Sequence, residues 1–451
     1  MTVSPHRDLG RLFKAYDVRG VVPDELDEDL ARSIGAAFAE WSGVEAVAIG
    51  RDCRLSSPSL AGALGDGITS RGADVIDIGL ASTDLLYFTS GSRSIAGIML
   101  TASHNPPEYN GMKFCLPGAT PVGQDTGLGE IRDLAERHAF APRAAGGTVR
   151  REEMLEAYVE HVLSFVDVSA MRPLTVLADT ANGMGGLVVP PVFERLPMTL
   201  VHLYPELDGT FPNHPADPMD PENQQDLKRE LLGRKADVGL AFDGDADRVF
   251  LVDDHADGVS GSEVTALVAT AMLERHPGAK IVYNLICSWA VPEVIREHGG
   301  VPVRTKVGHS FIKQVMADTG AVFGGEHSAH YYFARNYRAD SGLIATMHVL
   351  GEMSRAEQEL SILRKPFERY SQSGEINTQV ADVGTVLAAV RAEMVGLPQD
   401  DLDGLTVDHG SWWFNLRPSN TEPLLRLNLE AATRDECDAH VAELLALVTG
   451  A

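Results

Sequence analysis

Cysteine is scarce in this chain: its 451 residues hold four, Cys53, Cys115, Cys287 and Cys437, far apart and without a C-x-x-C pair. That argues against a disulfide framework or a cysteine-built zinc site and for reduced thiols. Basic residues are also in deficit. Lys and Arg number 38 against 64 Asp and Glu, a formal net charge of -26. Such a chain is a poor general binder of nucleic acid. It also repels anionic substrates, unless cations and backbone N–H groups gather locally. No segment approaches the roughly 18 consecutive apolar residues of a membrane span. Residues 1–8, MTVSPHRD, have no apolar core for a signal peptide. The expectation is a cytoplasmic protein, monomer or dimer, with no nucleic-acid or membrane partner.

What is present is a βα alternation. Helical spacing is expected at 27–41 and 57–71, with strand-like apolar runs at 46–50, 74–78 and 95–100. Strands are likewise expected at 174–178, 199–203, 238–242, 249–252, 280–283 and 301–304, with helices between most of them. This order predicts mixed sheets covered by helices. After about residue 370 one helix precedes three strands and a last helix, a smaller α+β unit. Gly, Ala and Pro at 141–147 suggest a boundary. The predicted division is 1–148, 149–256 and 257–370 as α/β units, then 371–451 as the α+β unit.

Each unit ends a strand in a chemically loaded loop. Residues 101–111, TASHNPPEYNG, read as a loop after the 95–100 strand, following an earlier segment that ends at Arg19 and Gly20. Ser103 stands there beside His104, with Lys113 close behind, both able to supply positive charge or move protons. No G-x-S-x-G elbow surrounds Ser103, so a hydrolase triad is not indicated. A serine that exchanges phosphate needs a metal and cations more than a strong base.

DGDADR at 243–248 sets Asp243, Asp245 and Asp247 at alternate positions beside Arg248. Hard oxygen ligands of this kind suit Mg²⁺. Gly244 and Ala246 leave room for the backbone to curl. An EF-hand fails, for want of Gly at its sixth position and Glu at its twelfth. EHSAH at 326–330 offers Glu326, Ser328 and His330 for adjacent sugar hydroxyls, and lacks the H-x-x-x-H spacing of a zinc protease. RPSNTEP at 417–423 offers Arg417, Ser419, Asn420 and Thr421, donors that suit a phosphate dianion.

Together and in this order, the loops resemble those of the α-D-phosphohexomutase family, closest to its phosphomannomutase/phosphoglucomutase branch. YDVRG at 16–20 and TKVGHSFIK at 305–313 extend the match. The resemblance implies four domains around a deep cleft and a phosphoserine at Ser103. It implies Mg²⁺ held by Asp243, Asp245, Asp247 and the serine phosphate. Glu326 and Ser328 would hold the sugar, and Arg417, Ser419, Asn420 and Thr421 its non-reacting phosphate. Arg19, Lys113, Arg248, His309 and His330 would line the cleft, with Lys113 and His330 as candidates for proton transfer. The implied reaction interconverts hexose 6- and 1-phosphates through a 1,6-bisphosphate, which also activates the enzyme. Three positions depart from the pattern: Ala329 stands where Gly is usual, and Ile286 and Trp289 stand where basic residues are frequent. Phosphoglucosamine mutase is an alternative substrate branch. A metal-dependent phosphatase with Asp243 as nucleophile, and an inactive sugar-phosphate sensor, are alternative classes.

Overall fold

The computed structural model describes residues 9–137, 140, 146–418 and 424–450. Most of the proposed boundary at 141–147, and all of Ser419, Asn420 and Thr421, lie outside them. The chain forms two compact units, Met1–Ser260 with Ser328–Leu363, and Gly261–His327 with Arg364–Ala451.

In the first unit, a parallel core sets Ala46–Arg51 between Asp74–Leu80 and Ala96–Leu100. All five residues of Ala96–Leu100 are buried, as a strand covered on both faces requires. The helix Glu28–Ser42 starts where the Asp27 side chain accepts from Leu30 N, and stops at Gly43, whose φ is 63°. It lies tightly on the helix Ser57–Ser70. A Cβ on Gly35 would sit 2.2 Å from Leu64 O, and one on Gly67 2.0 Å from Arg32 O, so only glycine permits this crossing.

Two sequence expectations change here. Arg19 and Gly20 do not end a segment but lie inside the strand Val18–Val21. Residues 109–111 are not loop: they begin the strand Tyr109–Leu116, which runs antiparallel to both Val18–Val21 and Ala96–Leu100. Asn110-Gly111 reads as a turn because that pair favours turns. Here Gly111 answers a different need, since a Cβ would meet Val18 O at 2.3 Å.

A second sheet in this unit sets Val238–Phe242 parallel to Thr175–Asp179 and antiparallel to Val249–Val252. The acidic segment 243–248 is therefore the link between two buried, hydrogen-bonded strands.

The second unit carries Val301–Thr305, Lys280–Asn284 and Phe323–Gly325 as parallel neighbours. It also holds an antiparallel sheet in which Trp412–Pro418 pairs with Leu424–Ala431. That sheet's core includes side chains of the helices Val383–Glu393 and Arg434–Gly450. Mixed α/β sheets followed by a smaller α+β unit are thus observed.

Candidate active site

Thr101 Oγ1 accepts from the Ser103 backbone N–H at 2.9 Å, and Ser103 has a φ of 50°, the left-handed region. What shapes the loop is Arg54, a residue sequence reasoning did not select. Its fully buried guanidinium donates to the carbonyls of Ser103 (2.9 Å), Asn105 (2.7 Å), Pro106 (2.6 Å) and Tyr109 (2.9 Å). Asp52 holds Arg54 in turn at 3.1 Å. Arg19 reaches the same loop through the Asn105 side chain, and is braced by Asp17.

So presented, Ser103 Oγ donates to Asp243 Oδ2 at 2.8 Å. Arg248 Nη2 lies 3.3 Å from the same oxygen and also pairs with Asp243. The acidic loop comes this close because of Gly244, where a Cβ would stand 2.4 Å from Ser103 O. Ala246 takes the other tight turn at a φ of 59°. The curl expected at these two small residues is therefore present.

The three carboxylates converge, with candidate ligand oxygens within 4.8 Å of one another. Lys113 Nζ bridges Asp245 Oδ2 (2.7 Å) and Asp247 Oδ2 (2.6 Å). Asp245 Oδ1 and Asp247 Oδ1 are buried and accept no hydrogen bond among the described residues. Paired carboxylate oxygens left in this state fit a divalent cation. The electrostatics agree. Burial pushes the Asp243 carboxyl up to about 8, with the charges of Asp247 and Asp245 adding to the effect of burial against Arg248. Burial also opposes charge on Asp245, but Lys113 and hydrogen bonds from Lys113 and Thr83 hold it well below the carboxylate range.

His104 behaves differently from expectation. Burial, then the charges of Arg248 and Arg19, push its imidazole down to about 2. Its Nδ1 faces Arg248 Nη2 at 2.5 Å, and a guanidinium can only donate. His104 is a neutral acceptor here, not a source of positive charge. Lys113 does stay cationic: burial alone would lower it, but Asp245 and Asp247 raise it well above the ordinary lysine value.

His330 joins this cluster, with Nε2 4.0 Å from Asp247 Oδ1 and Nδ1 3.2 Å from Ser328 Oγ. Between them Ala329 is buried at a φ of 64°, where glycine would sit without strain.

The second unit holds the other candidates. Buried Glu326 accepts through Oε2 from Asn284 Nδ2 at 3.0 Å and from Gly308 N at 3.3 Å. His309 opens the helix His309–Thr319 directly after Gly308. Arg417 pairs with Glu375, which also meets Arg426 at 3.3 Å. Glu375 was not among the expected site residues, because nothing in its neighbourhood marks it. Ile286 and Trp289 belong to an apolar cluster, and Trp289 also borders a cavity of about 580 Å³. They pack with Leu285, Trp413, Val307 and Leu402, and Trp289 N donates to Glu430 at 2.8 Å.

Four family models match the chain in order. They are described as phosphoglucomutase/phosphomannomutase alpha/beta/alpha domains I, II and III, at residues 10–141, 156–258 and 260–370, and the C-terminal domain at 375–447. A protein of Xanthomonas campestris pv. campestris named "phosphohexose mutases" is 42% identical over 422 residues, covering 93% of this chain and 94% of that one. A phosphomannomutase of Salmonella typhimurium is 40% identical over 430 residues, with the same coverage of 93% and 94%. The crystal structure of a phosphoglucomutase/phosphomannomutase family protein from Burkholderia thailandensis matches with a TM-score of 0.89 at 32% identity, over 97% of this chain and 98% of that one.

Proposed function

The chain belongs to the phosphoglucomutase/phosphomannomutase family, and on that footing we propose that it interconverts hexose 6-phosphates and hexose 1-phosphates through phospho-Ser103. It is an intramolecular phosphotransferase acting on hexose phosphates. The observation that carries the reading is Ser103 Oγ, bonded to Asp243 and facing Arg248 amid three buried carboxylates, two of which, Asp245 and Asp247, each keep an oxygen that accepts no hydrogen bond among the described residues.

Phospho-Ser103 passes its phosphoryl group to O1 of a hexose 6-phosphate, or to O6 of a hexose 1-phosphate. The Oγ–P bond breaks as the new P–O bond forms, and the proton of the attacking hydroxyl goes to His330. The 1,6-bisphosphate then turns end for end, and Ser103 Oγ takes back the other phosphoryl group, the sugar O–P bond breaking as Oγ–P forms and His330 returning its proton to the released sugar oxygen. Asp243, Asp245 and Asp247, with the serine phosphate, would hold Mg²⁺, which would supply charge neutralisation on the transferring oxygens. Arg248 holds the phosphoryl from the side, and His104 accepts from Arg248 to keep its fork aimed. Lys113 spaces Asp245 from Asp247, which gives the proton role to His330. Arg19 lines the site through Asn105.

Glu326, Ser328 and His309 read the sugar, and Arg417, Ser419, Asn420 and Thr421 anchor the phosphate that is not reacting. The four functional regions divide at 148/149, 256/257 and 370/371. A hexose 1,6-bisphosphate rephosphorylates a spent Ser103 and so activates the enzyme. No described helix is long and apolar enough to cross a membrane, and we assign the activity to the cytoplasm.

Mannose and glucose differ only at C2, so a site reading the 3- and 4-hydroxyls accepts both. Relatives named phosphomannomutase support that branch. The phosphatase reading fits less well. Asp243 accepts from Ser103 and Arg248 through Oδ2 and from Arg248 N at 3.2 Å through Oδ1, and a phosphatase built on Asp243 leaves Ser103 without a role.

A coupled assay with mannose, glucose and glucosamine 1-phosphates, Mg²⁺ and the matching bisphosphates tests the proposal. Turnover is expected with the first two and poor with the third. Ser103→Ala should cut turnover by more than about a thousandfold and abolish phosphate on the intact protein mass. An unchanged Ser103→Ala rate would sink the phosphoserine, and turnover of glucosamine 1-phosphate alone would overturn the branch.

A further inference from the structure

Thr83 opens the helix Thr83–Arg93, and it is 162 residues from Asp245 in sequence. Its Oγ1 donates to Asp245 Oδ2 at 2.6 Å, and its backbone N–H donates to the Asp245 carbonyl at 3.0 Å. Main chain and side chain of one acidic residue are thus gripped by one threonine. Lys113 takes the same Oδ2 at 2.7 Å. Asp245 Oδ1 is left buried and accepts no hydrogen bond among the described residues.

We infer that Thr83 is a positioning residue for the metal centre, committing one oxygen of Asp245 to the protein and so presenting the other to the cation. A carboxylate is free to offer either oxygen, or both, by rotation about its Cβ–Cγ bond. Two donors on Oδ2 remove that freedom before any ion arrives. Asp247 shows half of the same device: Lys113 takes its Oδ2 at 2.6 Å while its Oδ1 accepts no hydrogen bond among the described residues.

Thr83 is itself anchored on both sides. Ser82 caps the helix by accepting from Leu85 N at 3.3 Å. Asp84, fully buried, takes the hydroxyls of Ser82, Tyr158 and Ser341, the last at 2.7 Å. The tripeptide 82–84 therefore fixes the acidic loop through Thr83 and the start of the helix Gly342–Ala356 through Ser341. Thr83 carries no charge, so its contribution to the metal is one of geometry and is separable from that of Lys113.

This inference rests on the reading of Asp243, Asp245 and Asp247 as a metal site. It is tested by titrating Mg²⁺ into the full chain in a calorimeter. Outer-shell partners of a metal ligand are worth about 10- to 100-fold in affinity. Thr83→Val, which keeps the shape and loses the hydroxyl, should weaken Mg²⁺ binding roughly tenfold. Thr83→Ser, which keeps the donor, should stay within about threefold of wild type. Thr89→Val serves as the control: it removes a buried hydroxyl of the same helix, bonded to Leu85 O at 2.9 Å, and should leave affinity unchanged. If Thr83→Val does not fold, Thr83→Ala makes the same comparison. Wild-type affinity in the Val or Ala variant, or an equal loss in Thr89→Val, overturns the role of Thr83. A wild type that takes up no Mg²⁺ overturns the metal reading instead.

Discussion

Ser103 and Arg417 both meet a carboxylate, but the surroundings of the two pairs differ. At Ser103 the partners are buried and cross-tied. Asp243 also takes Arg248, and the loop itself hangs from Arg54 by four carbonyls. At Arg417 the partner is Glu375, whose side chain is 23% exposed and shared with the half-open Arg426. A phosphate uses the same donor fork as a carboxylate. On the function proposed above, a substrate phosphate would take the place of Glu375 at Arg417, whereas Ser103 already has its partners around it. The proposed reacting group is then built in advance, and the proposed anchor is held in a provisional, self-satisfied state.

That contrast can be broken by measurement. The largest effect is expected from Arg54→Met, which removes both the fork that spans the carbonyls and the cation paired with Asp52. Loss of one member of a buried ion pair costs about 3–5 kcal/mol, read as a fall in the denaturant midpoint. A loss below about 1 kcal/mol would mean that the Ser103 loop stands without its internal frame. Next is a pH effect at Asp84. Burial pushes its carboxyl up to about 6, against the hydroxyls of Ser82, Tyr158 and Ser341. The folded state then binds its proton more tightly than the unfolded state, so its contribution is full below the ordinary value of 3.8 and is lost as pH rises through about 6. The difference is on the order of 3 kcal/mol. Melting curves of wild type and Asp84→Asn should converge at acid pH and diverge above pH 6, with the variant the more stable there. Parallel curves would refute the strained carboxylate. The smallest effect belongs to the provisional pair, in which Arg417 is buried but Glu375 is partly exposed and shared with Arg426. Glu375→Gln should leave stability nearly unchanged, lower KM about threefold by freeing Arg417, and spare kcat. A raised KM would show that Glu375 helps to hold substrate rather than standing in for it.

Strands, helices and the acidic loop were legible because their signals are local. The helices expected at 27–41 and 57–71 occur as Glu28–Ser42 and Ser57–Ser70, set by apolar spacing and caps. Asp243, Asp245 and Asp247 sit where an apolar strand stops, and the fold brings them together. Tyr109–Leu116 was missed as a strand from 109 onward because Asn110-Gly111 carries turn chemistry, while its strand character comes from pairing with Val18–Val21. Arg54 was out of reach for a related reason. Its partners are backbone carbonyls about fifty positions away, and a carbonyl has no sequence signature. Thr83 and Glu375 share that obscurity. The lowering at His104 was out of reach too, because it comes first from burial in the folded loop and then from Arg248, 144 residues downstream.

The bond from Ser103 to Asp243 joins residues 140 positions apart. On the ribosome this separation becomes an interval of time. Ser103 and the arginine that frames its loop are made early, while the carboxylate that receives its hydroxyl, and the cation beside it, are made only when synthesis reaches residues 243–248. A nascent chain shorter than that carries the serine without the means to use it. On the function proposed above, the exchange of phosphate at Ser103 would therefore need the chain to be made at least as far as Arg248.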